Sequence, residues 1–322
     1  MDEQSDIGEQ VVPPARTEAG REETTLKPLR GEVVPLVYET LKNWSIAPIE
    51  QVFTARDTMI YALGVGAGQP SDVSAGELQY IYGPELRALP TMATVLGADP
   101  MWMRAPGTGI DWRTVVHGEQ FLRIHKPLPA AGRIVGRAKV DEIYDKGPGK
   151  GAVLFYSVGI HDAADDSLYA TVALSAFIRG QGGFGGPATG APRPQVLPAD
   201  RDPDFRLVLT TRPEQAALYR LSGDDNPMHV DPAAAAEAGF RQPILHGLCA
   251  YGMAGRGIIG LLCGNRPERL RALNVRFTDL IYPGETLALE VWTLDTGAAA
   301  FRMRIVERDV IALSNGYAEF DA

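Results

Sequence analysis

The chain has 322 residues, 45% hydrophobic and 22% charged, proportions typical of a globular protein with room for two ordinary domains. Its formal net charge of −9 excludes a general nucleic-acid-binding surface, and an anionic ligand would need local Lys and Arg residues to overcome this background. The two cysteines, Cys249 and Cys263, lack metal or redox spacing and predict buried thiols in a reducing compartment, which favours a cytoplasmic location.

Composition shifts along the chain predict a tail, two modules and a linker. Residues 1–30 are polar, show no periodicity and carry no secretory pattern, which indicates a disordered tail. Residues 181–200 are rich first in Gly and then in Pro, which is typical of a linker. A phosphate-cradling loop is the rival interpretation, but no P-loop or dinucleotide context follows it. We therefore predict an N-terminal module over residues 31–180 and a C-terminal module over residues 201–322.

Strand patterns fill the later part of the N-terminal module. Phe121 and Ile124 lead to a Pro-Ala-Ala-Gly turn, and apolar residues recur at Val153 and Phe155. The segment Tyr169 to Ile178 has the character of one more strand. This half therefore predicts an antiparallel sheet.

The C-terminal module shows the same order of a helical part followed by strands. The segment Leu248 to Leu262 is apolar nearly all round, which predicts a buried helix. The whole apolar run, His246 to Cys263, is 18 residues long, and its length alone would allow a membrane span, but Arg256 and five glycines in it favour a buried core helix. Period-two alternation then predicts strands with one covered face at three places: Leu273–Phe277, Leu287–Val291 and Phe301–Ile305. A sheet wrapped around one buried helix is the hot-dog arrangement, so we predict an α+β double hot-dog.

The two halves differ where chemistry would be done. Tyr61-Ala-Leu-Gly-Val-Gly-Ala-Gly aligns with Tyr219-Arg-Leu-Ser-Gly-Asp-Asp-Asn, so residues 66–68 place Gly-Ala-Gly against Asp-Asp-Asn. Thr94 likewise stands in the place of Gly247. The N-terminal module keeps the scaffold without these polar groups, which suggests room there for a long or bulky group.

The most informative feature lies between residues 219 and 249. Asp224, Asn226 and His229 fall within six residues, and an Asn-Pro turn can fold the carboxylate and the imidazole toward one point. Gly247 follows, where the apolar helix is predicted to begin. An acid/base pair beside a backbone donor is what proton transfer next to an activated carbonyl requires. A simple helix cap explains Asp231-Pro232 but not these residues together.

This segment resembles the signature of the R-specific enoyl-CoA hydratases (hydratase 2) of the MaoC-like family. These usually read Ser-Gly-Asp-x-Asn-Pro-Leu-His-x-Asp-Pro and then Pro-Ile-Leu-His-Gly, and the one departure here is methionine for leucine at Met228. Residues 117–120, 145–147 and 274–277 also match two-module members, so the resemblance runs from about residue 33 to the C-terminus.

The resemblance implies hydration of a trans-2-enoyl-CoA to an (R)-3-hydroxyacyl-CoA. In this reading Asp224 and His229 hold one water, Asn226 steadies the loop or the water, and the Gly247 amide binds the thioester oxygen. The reading leaves open which of Asp224 and His229 is the base. The residues implied to contact the acyl-CoA are His117, Gly118, Lys146, Asp225, Pro227, Met228 and Phe277. His246 is equally consistent with a structural or a ligand-contacting role.

Other functions and partners were weighed on the same residues. The enzymatic alternative is an acyl-CoA thioesterase, because one scaffold can host both activities. A non-catalytic acyl-CoA-binding or assembly subunit is the alternative from another class. We expect no metal and no cofactor, since His229 and Asp231 lack further ligands at suitable spacing. Neither nucleic acid nor membrane is expected as a partner, and exposed sheet edges favour a homodimer beside a monomer.

Overall fold

The computed structural model describes residues 36–68, 76–198 and 200–321. In these ranges the strands are β1 (Ile49–Phe53), β2 (Val115–Ile124), β3 (Gly132–Asp145), β4 (Gly151–Asp162), β5 (Leu168–Arg179), β6 (Phe205–Thr210), β7 (Leu270–Phe277), β8 (Thr286–Asp295), β9 (Ala298–Ile305) and β10 (Val310–Phe320). The α-helices are α1 (Tyr38–Lys42), α2 (Ala55–Gly64), α3 (Gln215–Tyr219), α4 (Pro232–Glu237) and α5 (Gly247–Leu262). The predicted strands of both halves are therefore confirmed.

All strands join one antiparallel sheet with the order β1-β3-β4-β5-β2-β7-β10-β9-β8-β6. The order reads the same outward from the β2–β7 junction on both sides, so each half contributes five strands with one topology. At the junction, Phe121 pairs with Asn274 and Leu122 with Leu273. The two copies of one plan are thus joined into a continuous sheet, as expected for a double hot-dog.

Helix α5 occupies the predicted apolar segment and is almost wholly buried. Its glycines allow close approach of the N-terminal half: a Cβ at Gly252 would lie 2.4 Å from Val65 Cγ1, and one at Gly255 would lie 2.5 Å from Thr91 Cγ2. Arg256 is also buried and bonds the Glu77 carboxylate at 2.6 Å. The helix therefore packs against both halves, not only against the sheet that follows it.

The N-terminal half departs from the expected plan in its helix. The segment aligned with the start of α5 forms only a short 3-10 turn, Pro90–Val95. Soon after it Gly97 adopts a φ of +58°, and a Cβ added at Gly136 would lie 1.8 Å from the Gly97 carbonyl oxygen. Because the chain turns there against strand β3, no long helix continues, and α5 serves as the long central helix for the described part of both halves.

The connection between the halves has neither helix nor strand between residues 180 and 204, apart from residue 199, which lies outside the described ranges. The predicted tail, residues 1–30, also lies outside them. Both cysteines are buried free thiols, as predicted. Within the described ranges no helix combines the length and apolar character needed to cross a bilayer.

Candidate active site

A tight loop between α3 and α4 carries the candidate acid/base residues Asp224 and His229. It turns at Gly223, whose φ of +118° disfavours any side chain. The Asp224 Oδ1 atom then accepts a hydrogen bond from the Asn226 backbone N–H at 3.2 Å. The Asn226 side chain in turn accepts from the Met228 N–H at 3.4 Å and caps the short 3-10 turn Pro227–His229. Local bonds of this kind are what Asp and Asn favour in turns.

His229 is buried at the end of this turn, and its tautomer is fixed by the backbone. Its Nδ1 atom lies 2.8 Å from the Ile244 carbonyl oxygen, which can only accept a hydrogen bond. Nδ1 must therefore carry the proton, which leaves the Nε2 lone pair free in the neutral ring. Burial lowers the pKa of His229, so the neutral form is favoured at neutral pH.

His246 lies directly beside His229. The two rings stack with centroids 3.7 Å apart and planes inclined by 24°. Nε2 of His246 lies 3.4 Å from the Asp224 carbonyl oxygen and 4.0 Å from its Oδ2 atom. Burial, and then the nearby His229, lower the pKa of His246 to about 3. Sequence reasoning left its role open, and the structure brings it into the cluster.

Asp224, His229 and His246 form one cluster of polar side chains. One carboxylate oxygen and one ring nitrogen of each histidine all lie within 4.8 Å of one another. His246 Nε2 and Asp224 Oδ2 are 4.0 Å apart, and polar atoms this close can share one water molecule as a hydrogen-bond partner. These residue types also bind metal ions, so the expectation of no metal remains a prediction.

Helix α5 begins next to this cluster, as predicted. His246 is its N-cap, so the Gly247 N–H is one of the four amides without a partner inside the helix. A Cβ at Gly247 would lie 3.1 Å from Phe277 Cε1, and the Phe277 ring lies 4.6 Å from that of His117. Phe277 and His117 thus line the approach to this amide.

A β-bulge at Gly118 sets the direction of His117. In the β2–β5 pairing, His117 faces Ala176 and Glu119 faces Ser175, which leaves Gly118 as the extra residue. A Cβ at Gly118 would lie 2.8 Å from Ser175 Oγ, so glycine fits there best. Burial lowers the pKa of His117 to about 4, and this ring is therefore neutral at physiological pH.

Comparison with known proteins agrees with this geometry. The MaoC like domain matches residues 195–315, and the MFE-2 hydratase 2 N-terminal domain matches residues 52–180. The 3-hydroxyacyl-thioester dehydratase Y of Mycobacterium tuberculosis is 39% identical over 84% of this chain and 93% of its own. The chain belongs to the MaoC-like hydratase 2 family.

Two further relatives support the assignment. A probable enoyl-CoA hydratase 2 of Dictyostelium discoideum is 36% identical over 86% of this chain and 94% of its own. The crystal structure of a MaoC-like dehydratase from Phytophthora capsici has 30% identity and a TM-score of 0.77, covering 88% of this chain and 98% of that one. The fold and the family predicted from the sequence are therefore confirmed.

Three of the remaining residues implied by the resemblance lie in the Asp224 loop, and Lys146 lies outside it. Asp225 is exposed and pairs with Arg220 at 2.9 Å, while Pro227 begins the 3-10 turn. The Met228 carbonyl oxygen accepts from the Ile244 N–H at 3.4 Å. Lys146 follows strand β3 in a turn, and the contacts that it makes in the described part of the chain do not include the Asp224 cluster. Their roles in this hydratase 2 family member stay predictions.

Proposed function

We propose that this protein adds water reversibly across trans-2-enoyl-CoA to give (R)-3-hydroxyacyl-CoA. The observation that carries the proposal is the cluster of Asp224, His229 and His246, whose polar atoms lie within 4.8 Å of one another at the start of the helix that begins with Gly247. The names of the relatives, which refer to enoyl-CoA hydratase 2 and to 3-hydroxyacyl-thioester dehydratase, support the same reaction class of hydro-lyase.

In the proposed reaction His229 acts first as the base. Its Nε2 lone pair takes a proton from the water while the water oxygen forms a bond to the β-carbon of the substrate. The π electrons of the double bond move onto the thioester to give an enolate. The Nε2–H then returns the proton to the α-carbon, which completes the addition of H and OH to one face. Groups of this kind typically contribute about 10²–10⁴ in rate.

Asp224 and Asn226 orient the water in this proposal. The Asp224 carboxylate is half-exposed and accepts the second hydrogen of the water. Asn226 caps the turn that carries His229, and so it fixes the position of the imidazole relative to the Asp224 carboxylate. The acid/base choice rests on the His229 tautomer, because the hydrogen bond to Ile244 leaves Nε2 as the free acceptor.

The Gly247 amide would hold the developing charge on the thioester oxygen. It lies at the start of a 16-residue helix, where unpaired N–H groups and the helix dipole favour an anion. Loss of one such donor typically costs about 10²–10³ in rate. These protein groups and one water supply every step, so we propose that the reaction needs no cofactor.

The N-terminal half would accommodate the acyl chain. Its loop at residues 66–68 has Gly-Ala-Gly in place of the polar trio, and Gly66 and Gly68 adopt positive φ angles. A Cβ at Gly68 would lie 2.3 Å from Ile81 Cδ1, so an apolar side chain of the same half borders this loop where the C-terminal half has polar groups. Within the same proposal, the protein acts in fatty-acid β-oxidation. It is located in the cytoplasm and assembles as a homodimer.

The test follows loss of the conjugated enoyl absorbance with crotonyl-CoA and decenoyl-CoA, with chiral analysis of the product. Wild type should give the (R)-3-hydroxyacyl-CoA, and Asp224→Asn should lose about 10²–10⁴ in kcat. The ratio of the two substrates would report on the acyl pocket. Release of free thiol from a saturated acyl-CoA would instead establish the thioesterase alternative. Equal activity of Asp224→Asn and wild type would overturn the proposed site.

A further inference from the structure

Two tyrosines from equivalent places in the two halves meet in the interior of the protein. Tyr61 on α2 and Tyr219 on α3 begin the two aligned segments, and both residues are buried. Their ring centroids lie 6.1 Å apart, with the planes inclined by 56°. Aromatic rings at such a distance and tilt attract one another. A ring of the N-terminal half is thus packed against its counterpart in the C-terminal half.

This contact continues through two more rings to the candidate base. The Tyr219 ring lies 5.0 Å from that of His246, and the His246 ring lies 3.7 Å from that of His229. All four residues are buried, and His229 at 6% exposure is the most accessible. We call Tyr61, Tyr219, His246 and His229 the aromatic row. It runs from the N-terminal half to the acid/base cluster.

Close backbone packing fixes the middle of the aromatic row. A Cβ added at Gly64, the last residue of α2, would lie 3.3 Å from the Tyr219 Cα atom, so the two helices leave little room for a side chain there. The Gly64 carbonyl oxygen also accepts hydrogen bonds from the Gln215 amide and the Cys249 thiol. Gln215 lies on α3 and Cys249 on α5. Helix α2 is therefore bonded to the helices that carry the next two rings.

Ring packing contributes more than polar contacts to the middle of the aromatic row. The Tyr219 hydroxyl oxygen is buried and has no hydrogen-bond partner within the described ranges. A buried group of this kind costs free energy, so the stabilisation from Tyr219 comes from its ring. His246 is the N-cap of α5, yet its side chain makes no capping hydrogen bond. The two middle residues are therefore held largely by the rings on either side of them.

We propose that the aromatic row positions His229, so that Tyr61 and Tyr219 are positioning residues for the base. This inference rests on the proposed function, because it takes His229 as the base. The hydrogen bond to Ile244 fixes one edge of the imidazole, and His246 covers one of its faces. Without the row the ring could tilt, and its Nε2 atom would point away from the water. Misplacement by about 1 Å can cost about 10²-fold in rate. The N-terminal half would then support the chemistry as well as the acyl chain.

The test compares loss of the ring with loss of the hydroxyl at Tyr61. Tyr61→Leu removes the far end of the aromatic row, whereas Tyr61→Phe keeps the ring. Crotonyl-CoA is the substrate, because its short acyl group makes little use of an acyl pocket. In Tyr61→Leu kcat should fall about ten- to hundredfold, with KM within about twofold of wild type. Tyr61→Phe should have the kcat of wild type.

Three kinetic outcomes would overturn the proposal. The first is an unchanged kcat in Tyr61→Leu, and the second is an equal loss of kcat in Tyr61→Phe. The third is a rise in KM alone, which would place Tyr61 in the substrate pocket instead.

Tyr80→Leu is the matched control for lost core packing. Tyr80 and Tyr61 lie in the same half with 1% exposure each, but the Tyr80 ring stacks on no other ring in the described part of the chain. Tyr80→Leu should lower the free energy of unfolding, as Tyr61→Leu does, and keep the kcat of wild type. A loss of kcat as large as that in Tyr61→Leu would contradict a role specific to the aromatic row.

Gly64→Ala tests the aromatic row if Tyr61→Leu does not fold. Its methyl group would press on α3 at Tyr219 without removing a core side chain. It should lower kcat and leave KM unchanged. Full kcat in Gly64→Ala would then overturn the proposal.

Nitrogen NMR of histidine-labelled protein separates this inference from the proposed reaction. The His229 Nδ1–H is buried and bonded to Ile244, so wild type should show a slowly exchanging ring N–H signal that His229→Gln removes. This proton should exchange at least about tenfold faster in Tyr61→Leu, because local opening becomes easier, and at the wild-type rate in Tyr61→Phe. That outcome supports the aromatic row even if crotonyl-CoA is not hydrated, in which case only the proposed reaction falls. An unchanged exchange rate in Tyr61→Leu would overturn the positioning role.

Discussion

The Ile244 carbonyl oxygen accepts a hydrogen bond from His229 Nδ1 at 2.8 Å, and this one contact decides which ring nitrogen can act as a base. The acceptor belongs to the segment that leads into helix α5, whereas His229 ends the 3-10 turn of the preceding loop. The contact therefore joins the loop that carries His229 to the helix whose first amide is proposed to bind the thioester. In the proposal, the same short stretch of chain therefore positions both the acid/base residues and the amide that stabilises charge.

The pH dependence should follow from the burial of His229. Its pKa is lowered from the usual 6.5, so the neutral base persists as pH falls below that value. Activity should be lost only when pH falls through the lowered pKa, because protonation removes the Nε2 lone pair. A pH profile of kcat/KM with crotonyl-CoA checks this. An acidic limb centred above 6.5 would contradict it.

Replacing the base itself should affect catalysis more than binding. His229→Gln removes the ring nitrogen that is proposed to take the proton, so kcat should fall about 10²–10⁴-fold with a smaller change in KM. Steady-state kinetics on decenoyl-CoA measures both constants. His125→Gln, which changes an exposed histidine after β2, is the matched control and should behave as wild type. Similar kcat values for the two variants would argue against His229 as the base.

A methyl group added at Gly247 should interfere with substrate binding. Gly247→Ala keeps the N–H, but its Cβ would lie 3.1 Å from Phe277 Cε1 and would intrude where the thioester is proposed to bind. We expect a lower kcat/KM and little change in the free energy of unfolding. Gly247→Ala/Phe277→Leu should recover part of the activity if crowding by the ring is the cause. No recovery, with Phe277→Leu itself fully active, would show that the defect arises elsewhere.

Removal of metal ions should have no effect if the Asp224, His229 and His246 group holds water. We expect full activity after dialysis against a strong chelator, because one carboxylate and two neutral rings supply the hydrogen bonds that the proposal needs. The measurement is the crotonyl-CoA assay before and after dialysis, with metal analysis of the protein. Activity that is lost on chelation and restored by a divalent ion would make this group a metal site.

Local patterns carried much of the prediction. The apolar run to Leu262 and the turn around Asn226 could be recognised because a buried helix and an Asx-capped turn leave their mark on neighbouring residues. The stacking of His229 on His246 could not, since 17 positions separate them and tertiary packing sets their contact. A clue was present, because His246 precedes the glycine that begins a predicted helix and so had to lie at its N-cap.

The missing helix of the N-terminal half has a similar cause. The turn Pro90–Val95 aligns with the start of α5, and residue types alone do not show that it ends within six residues. Its end depends on the contact of Gly97 with Gly136, which lies on strand β3 and about 40 residues later in the sequence. The joining of β2 to β7 likewise depends on strands from different halves. Non-local contacts of this kind leave little trace in a sequence window.

The buried ion pair between Glu77 and Arg256 gives the last prediction. Glu77 Oε1 lies 2.6 Å from Arg256 Nη1, and the Glu77 Oε2 atom accepts from the Gly68 N–H. Glu77→Gln would leave a buried guanidinium without its counter-charge, which typically costs about 3–5 kcal/mol of unfolding free energy. Urea denaturation measures the change. Glu268→Gln, which breaks surface ion pairs with Arg87 and Arg266, should cost only about 0–1 kcal/mol. Equal losses in the two variants would show that burial does not set the strength of the Glu77 pair.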